Sequence, residues 1–181
     1  KKSFKNILNM EPRNGLIWAE YGTLLTKLAN YEESKNAYLK ALNFKSDSPR
    51  VHLSLGHVYK TMGEIENSID SYKNSIIQNK LSGEAYWSLA NLKTYSFSEN
   101  EIKVMEETLK EDMSDIERSQ IYFALGKAYE VKKDFDNSYN NYFKGNEAKK
   151  GLIKYSSDDT TDNTKRILDF FNLETIRGLS K

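Results

Sequence analysis

The 181 residues carry 27 Lys and Arg against 26 Asp and Glu, a net charge of +1, with 38% hydrophobic and 29% charged residues. So balanced a charge sets up no global field toward nucleic acid or anionic lipid. No apolar run approaches the roughly 18 residues of a membrane helix, and the N-terminus shows no signal-peptide pattern. Cys is absent, which excludes disulfides, thiol nucleophiles and Cys-based zinc sites. This is the composition of a soluble protein, and a cytoplasmic location fits it. Two Pro, twelve Tyr and eight Phe point to helices packed through aromatic side chains.

In chain order, residues 2–10 read as a helix ending at Pro12, the second half of an incomplete unit spanning 1–14. Next come WAEYGTLLTKLANYEESKNAY, from Trp18 to Tyr38, and HLSLGHVYKTMGEIENSIDSY, from His52 to Tyr72, which repeat one pattern 34 residues apart. Gly22, Gly56 and Ala90 are spaced by 34, as are Phe4, Tyr38 and Tyr72. Each unit reads as two antiparallel helices. A small residue on the first helix (Gly22, Gly56, Ala90) and one on the second (Ser34, Ser68) permit close approach, and a Tyr plugs the gap toward the next unit. Gly63 is placed to close the turn of the second unit, where a left-handed backbone costs Gly little. Asn30 lies one place further along the matching turn.

Complete units are expected at about 15–48 and 49–82. The third, 83–114, opens with Gly83, Tyr86, Trp87, Leu89 and Ala90 and then departs from the pattern. Its YSFSENEI stretch predicts an irregular turn, with Ser98 capping a new helix and Glu101 completing a capping box. The fourth, 115–150, returns with Tyr122, Leu125, Gly126, Tyr129, Phe135, Ser138 and Tyr142. Gly126 falls 36 residues after Ala90, so about two residues are inserted. YSSDDTTDNT, residues 155–164, reads as a polar loop within a C-terminal segment 151–181. A helix is then expected from Thr164 to about Arg177, stopping at Gly178, with Ile167, Leu168, Phe170, Phe171 and Ile176 on one stripe. That helix caps the last unit, connects to another domain, or does both.

The 34-residue period, with W-x2-L-G-x2-Y-like positions followed by a small residue and an aromatic, resembles the tetratricopeptide repeat (TPR). The resemblance implies an all-α solenoid of helical hairpins with an irregular third repeat and a C-terminal capping or connector helix. It also implies a groove for a protein or peptide partner, lined by the first helix of each unit. In this register the lining includes Ala19, Thr23 and Thr26, then Arg50, Ser54, His57 and Lys60. Glu84, Trp87, Asn91 and Tyr95 follow, then Phe123, Lys127 and Glu130. Arg50, His57, Lys60, Trp87, Asn91, Tyr95 and Lys127 are the candidate binding residues. Trp87 is a candidate peptide anchor; the alternative is that Trp87 and Tyr95 pack against the irregular third unit or the C-terminal helix. Repeats of this type that bind chaperones grip a C-terminal carboxylate with Lys and Asn. Here those places hold Ala19, Thr23 and Ser54, with Glu84 where a base is wanted, so the clamp is not expected.

Catalytic chemistry finds no constellation in the sequence. His52 and His57 are five apart, off the i, i+4 spacing of a metal pair. Adjacent acids such as Glu32 and Glu33, Glu106 and Glu107, or Asp158 and Asp159 diverge on a helix or lie in solvent. No nucleophile has a base beside it. No catalytic residue, cofactor or metal is expected, and the chain reads as a binding scaffold.

A narrower resemblance covers about residues 83–176. AYWSLANLKTYSFSENEIKVME, RSQIYFALGKAYEVKKDFDNSYNNYFKGNEAKK and IKYSSDDTTDNTKRILDFF are similar, in that order, to the N-terminal helical region of bacterial repeat-containing sulfotransferases. The resemblance implies an appendage to a catalytic domain that takes a sulfuryl group from phosphoadenylyl sulfate, recruiting or orienting a protein substrate. The P-R-S-G-T-like donor loop of such enzymes does not occur here, nor does a P-loop. An N-terminus that begins mid-unit fits a fragment of a larger protein. The alternative is a free-standing adaptor in a bacterial secretion or envelope assembly.

Overall fold

The computed structural model describes residues 2–44, 48–150 and 157–171, and within them all regular structure is helical. The elements are α1 (Lys2–Met10), α2 (Gly15–Lys27), α3 (Tyr31–Asn43), α4 (Pro49–Met62), α5 (Ile65–Gln78), α6 (Gly83–Ala90), α7 (Glu99–Thr108), α8 (Asp115–Val131), α9 (Phe135–Lys150) and α10 (Ser157–Phe170). Local chemistry sets the starts. Asn14 Oδ1 accepts from the N–H groups of Leu16 and Ile17. Ser48 caps α4, with Pro49 in the first turn where its missing N–H costs nothing. The expected Ser98–Glu101 capping box is formed, and an equivalent Ser114–Glu117 box starts α8.

Helices α2 and α3, α4 and α5, and α8 and α9 pack as hairpins, while α3 on α4 and α5 on α6 join successive hairpins. One construction closes all three hairpins. The seryl Oγ of Ser34, Ser68 and Ser138 donates to the carbonyl oxygens of Gly22, Gly56 and Gly126 at 2.8, 3.0 and 2.9 Å. Four residues after each Ser, the ring of Tyr38, Tyr72 or Tyr142 lies flat over the same Gly. A Cβ there would stand 2.9, 2.5 and 2.9 Å from ring carbons. The small residues are therefore needed because a backbone and a tyrosine ring share the space.

The core follows the stack as consecutive clusters. Leu8, Tyr21, Leu25 and Ala37 form the first; Tyr38, Ala41, Val51, Leu55 and Val58 the second. A larger third cluster joins Tyr72, Tyr86, Leu89, Phe97, Ile102, Met105, Ile121 and Leu125.

The third unit differs from the other hairpins. Ala90 carries the Cβ that Gly lacks, and Ile102 and Glu106 stand where the pattern wants Ser and Tyr. α6 stops after eight residues and packs mainly on α8 rather than on α7. The crossing is closest at Gly83, where a Cβ would meet the Glu117 carbonyl oxygen at 2.4 Å. Asn91 and Tyr95 therefore lie beyond the helix rather than on its continuing face.

The C-terminal segment also differs from expectation. The stretch read as a polar loop is helical from Ser157, since Asp158 and Asp159 in the first turn favour a helix start. Ile167, Leu168, Phe170 and Phe171 are all exposed, so the stripe lies uncovered. Ile176 and Gly178 fall outside the described residues.

Candidate functional site: the inner face of the first helices

The first helices of the units meet along one surface. α2 and α4 bound a cleft of about 240 Å³ lined by Leu16, Ala19, Glu20, Thr23, Tyr38, Ser48, Arg50, Val51 and Ser54. α4 is tied to α6 by His57 Nε2, 3.2 Å from Glu84 Oε1. α6 meets α8 through the rings of Trp87 and Phe123, 5.6 Å between centroids.

The tyrosines that cover the glycines reach this surface with their hydroxyls. Tyr38 Oη sits 3.0 Å from Thr23 Oγ1; because Thr23 spends its proton on the Ala19 carbonyl oxygen, Tyr38 is the donor. Tyr72 Oη lies 2.9 Å from His57 Nδ1. Tyr142 donates to Glu130 Oε2 at 3.0 Å; burial, then this carboxylate, pushes its phenol up to about 12. Each hairpin thus sends one polar group from its interior into the lining of the groove.

The candidate residues divide. Arg50 is exposed at the cleft between α2 and α4, and Lys60 is exposed in the last turn of α4. His57 is half-buried between Tyr72 and Glu84. Trp87 is half-buried against the large core cluster. Asn91 is exposed and donates back to the Trp87 carbonyl oxygen at 2.8 Å. Tyr95 and Lys127 come together in a small cleft of about 80 Å³ with Ala90, Phe97 and Val131. Lys127 also donates to Glu130 at 2.9 Å. Thr26, read as groove lining, instead donates into its own hairpin, to the Gly22 carbonyl oxygen at 3.0 Å.

Tyr95 is held by more than packing. Its hydroxyl donates to Glu101, its ring meets Phe97 edge-on at 5.1 Å, and Lys73 Nζ lies 5.0 Å above it. Burial and then the Glu101 carboxylate raise its pKa well above the ordinary phenol value. Burial works to raise Glu101 in turn. Bonds from Tyr95 and Ser98, with Lys73 beside it, outweigh that and hold it below the usual carboxylate range.

Glu20, Ser48 and Tyr38 in the first cleft were not singled out from sequence, although the recurrence of Tyr sixteen residues after Gly pointed toward the last. A separate apolar slot of about 230 Å³ opens between α5, α6 and α7, lined by Ile76, Ile77, Tyr86, Leu89, Phe97 and Val104 with Lys73 and Glu101. It reflects the early end of α6. Among the described residues no three His, Asp or Glu converge as a metal site, and no helix is long and apolar enough to cross a membrane.

Stacked antiparallel hairpins, a Gly–Ser–Tyr closure repeated in register and a polar inner face decide the architecture. The fold is a tetratricopeptide-repeat solenoid. A family model described as TPR repeat matches residues 22–63. Among solved structures the chain is similar to MamA, at 20% identity over 85% of this chain and 89% of that one, with a TM-score of 0.65. It is also similar to YrrB, described as a TPR protein with an unusual peptide-binding site, at 15% identity over 80% and 74% of the two chains, TM-score 0.60. PilF of Pseudomonas aeruginosa matches at 17% identity over 91% and 72%, TM-score 0.56. No curated protein matches the sequence at a significant level. A TPR fold is consistent with a protein-interaction scaffold, and TPR proteins are generally non-catalytic.

Proposed function

We propose that this chain is a non-catalytic scaffold that holds a protein or peptide partner on the inner face, seated in the cleft between α2 and α4. The observation that carries the reading is the composition of that cleft. Three apolar side chains, Leu16, Ala19 and Val51, lie among the hydroxyls of Thr23, Tyr38, Ser48 and Ser54, with Arg50 and Glu20 as one charge of each sign. Hydroxyls and a charge pair suit the N–H and C=O groups of an extended peptide, and the apolar patch suits one anchoring side chain. A peptide site in a neighbour of the same fold supports the reading by analogy of fold alone. Glu84, engaged with His57, disfavours a terminal carboxylate toward α6.

The test is selection of peptides from a displayed library on the intact protein, followed by titration against Ser54→Trp, which fills the cleft. Selected peptides should lose binding to the filled variant. Equal binding to both proteins would overturn the proposal.

On the block similarity over residues 83–176, we further infer that the scaffold serves a bacterial sulfotransferase-like enzyme, presenting protein substrates to it in the cytoplasm. The check is the reading frame after Lys181, which should encode an α/β domain with a donor-phosphate loop. Any other continuation defeats this assignment and leaves the groove reading untouched.

A further inference from the structure

Phe135, Tyr139 and Phe143 recur every fourth residue along α9, which places them on one face of the helix. They are 67%, 70% and 53% exposed. Seventy residues earlier, Ile65 and Ile69 hold the positions of Phe135 and Tyr139 on α5, and there both are partly buried. The α9 ridge is thus a stacking face left open. α10 bears a second open ridge: Ile167 and Phe171 one turn apart, flanked by Leu168 and Phe170, all between 57% and 66% exposed.

The charges of the two helices run in opposite senses. α9 begins at Asp134 and Asp136 and ends with Lys144, Lys149 and Lys150. α10 begins with Asp158, Asp159 and Asp162 and carries Lys165 and Arg166 toward its end. Set antiparallel, acidic end meets basic end twice and the helix dipoles oppose; Glu147 and Asp169 run against the pattern. Parallel placement would set like against like.

We propose that this face is an interface with a second copy of the chain, in which α10 of each protomer lies antiparallel on α9 of its partner. The occupant is a second copy because α10 bears the complementary ridge and charge order, while every side chain described on it is exposed, so among the described residues α10 does not cover its own α9. The arrangement closes with two-fold symmetry, since each protomer gives one helix and receives one. If each of these seven side chains contributes roughly 100 Å², two equal pairings remove on the order of 1,400 Å² from water, above the roughly 1,000 Å² of a specific interface.

Size-exclusion chromatography with light scattering on the intact chain, over a concentration series, tests this. Wild type should run as a dimer, and Tyr139→Asp or Phe171→Asp should each weaken dimerisation about tenfold or more while leaving helical circular dichroism unchanged, because both side chains are exposed. Lys149→Glu with Lys150→Glu should weaken the dimer. A wild type that stays monomeric at high micromolar concentration overturns the proposal, including one whose α10 protects its own α9 from hydrogen exchange. So does a dimer that survives both aspartate substitutions.

Discussion

The hydroxyl of Tyr72 lies 2.9 Å from Nδ1 of His57, and the opposite nitrogen of the same ring lies 3.2 Å from Glu84. A carboxylate only accepts, so Nε2 carries the proton, Nδ1 accepts, and Tyr72 donates. One imidazole thereby joins α5, α4 and α6 across a unit boundary. Tyr72→Phe keeps the ring over Gly56 and removes only the donor, so it should cost about 1 kcal/mol. Gly56→Ala acts differently. It drives a Cβ to 2.5 Å from a fully buried ring and should cost about 1–3 kcal/mol. Chemical denaturation of the two variants measures the difference, and the larger loss should belong to Gly56→Ala.

The turn inside each regular hairpin offers a stabilising prediction. Ala29, Gly63 and Lys133 occupy the same place in their units, and all three have positive φ, at 55°, 80° and 62°. Only Gly adopts that conformation without Cβ strain, and a Cβ on Gly63 would meet nothing within 4 Å, so backbone conformation alone is at issue there. Ala29→Gly and Lys133→Gly should each stabilise the fold by about 0.5–1 kcal/mol, and Gly63→Ala should destabilise it by a similar amount. Midpoints of urea unfolding should order the variants in that way.

The hairpin closures were readable in the sequence because they depend on residue size. A Gly under a Tyr ring and a Ser bonded to the Gly carbonyl permit few substitutes, so the 34-residue period survives where other letters drift. The capping box at Ser98 was readable for the same reason, being local chemistry among four residues. The end of α6 was not. Nothing around Ala90 forbids another helical turn; α6 ends there while packed mainly on α8, a tertiary contact that the local sequence does not specify. The left-handed turn at Gly63 was readable, whereas those at Ala29 and Lys133 escaped for a related reason. Asn30 lies one place beyond the matching position, and the spacing of the flanking helices imposes the left-handed backbone on Ala29. For α10, polar composition suggested a loop although an acidic first turn is what a helix start favours.

Gly83 supplies a test of the irregular unit. Its Cα–H faces the α8 backbone, and an added Cβ would lie 2.4 Å from the Glu117 carbonyl oxygen and 2.8 Å from its Cα. Backbone at a capped helix start cannot give way as a side-chain tip can. Gly83→Ala should therefore cost about 2–3 kcal/mol or displace α6 from α8. In the displaced case Trp87 would separate from Phe123, and Trp87 fluorescence should shift to longer wavelength. Ser82→Ala, one residue away, removes only a long bond to the Ser75 hydroxyl at 3.5 Å, so it should cost less than about 1 kcal/mol and leave the fluorescence unchanged.

Stability should fall at both ends of the pH range, through different groups. Glu101 has a folded pKa below its ordinary value, so its contribution is fully present above the unfolded pKa of about 4.5 and is lost as pH falls through the folded value. On the alkaline side Tyr129 and Tyr142 contribute alongside Tyr95. The Glu106 carboxylate, reinforced by burial, pushes Tyr129 up to about 12, and burial with Glu130 pushes Tyr142 up to about 12. A phenol with a raised pKa binds its proton more tightly when folded. That stabilisation is complete below the unfolded value near 10 and disappears as pH rises from there through 12. Urea unfolding followed against pH should show a plateau bounded by these two limbs. Glu101→Gln should reduce the acid limb and, because its carboxylate also raises Tyr95, part of the alkaline limb, whereas Tyr129→Phe should reduce the alkaline limb alone. An alkaline limb unchanged by both Tyr129→Phe and Tyr142→Phe would mean that these hydroxyls hold no tighter proton in the folded chain.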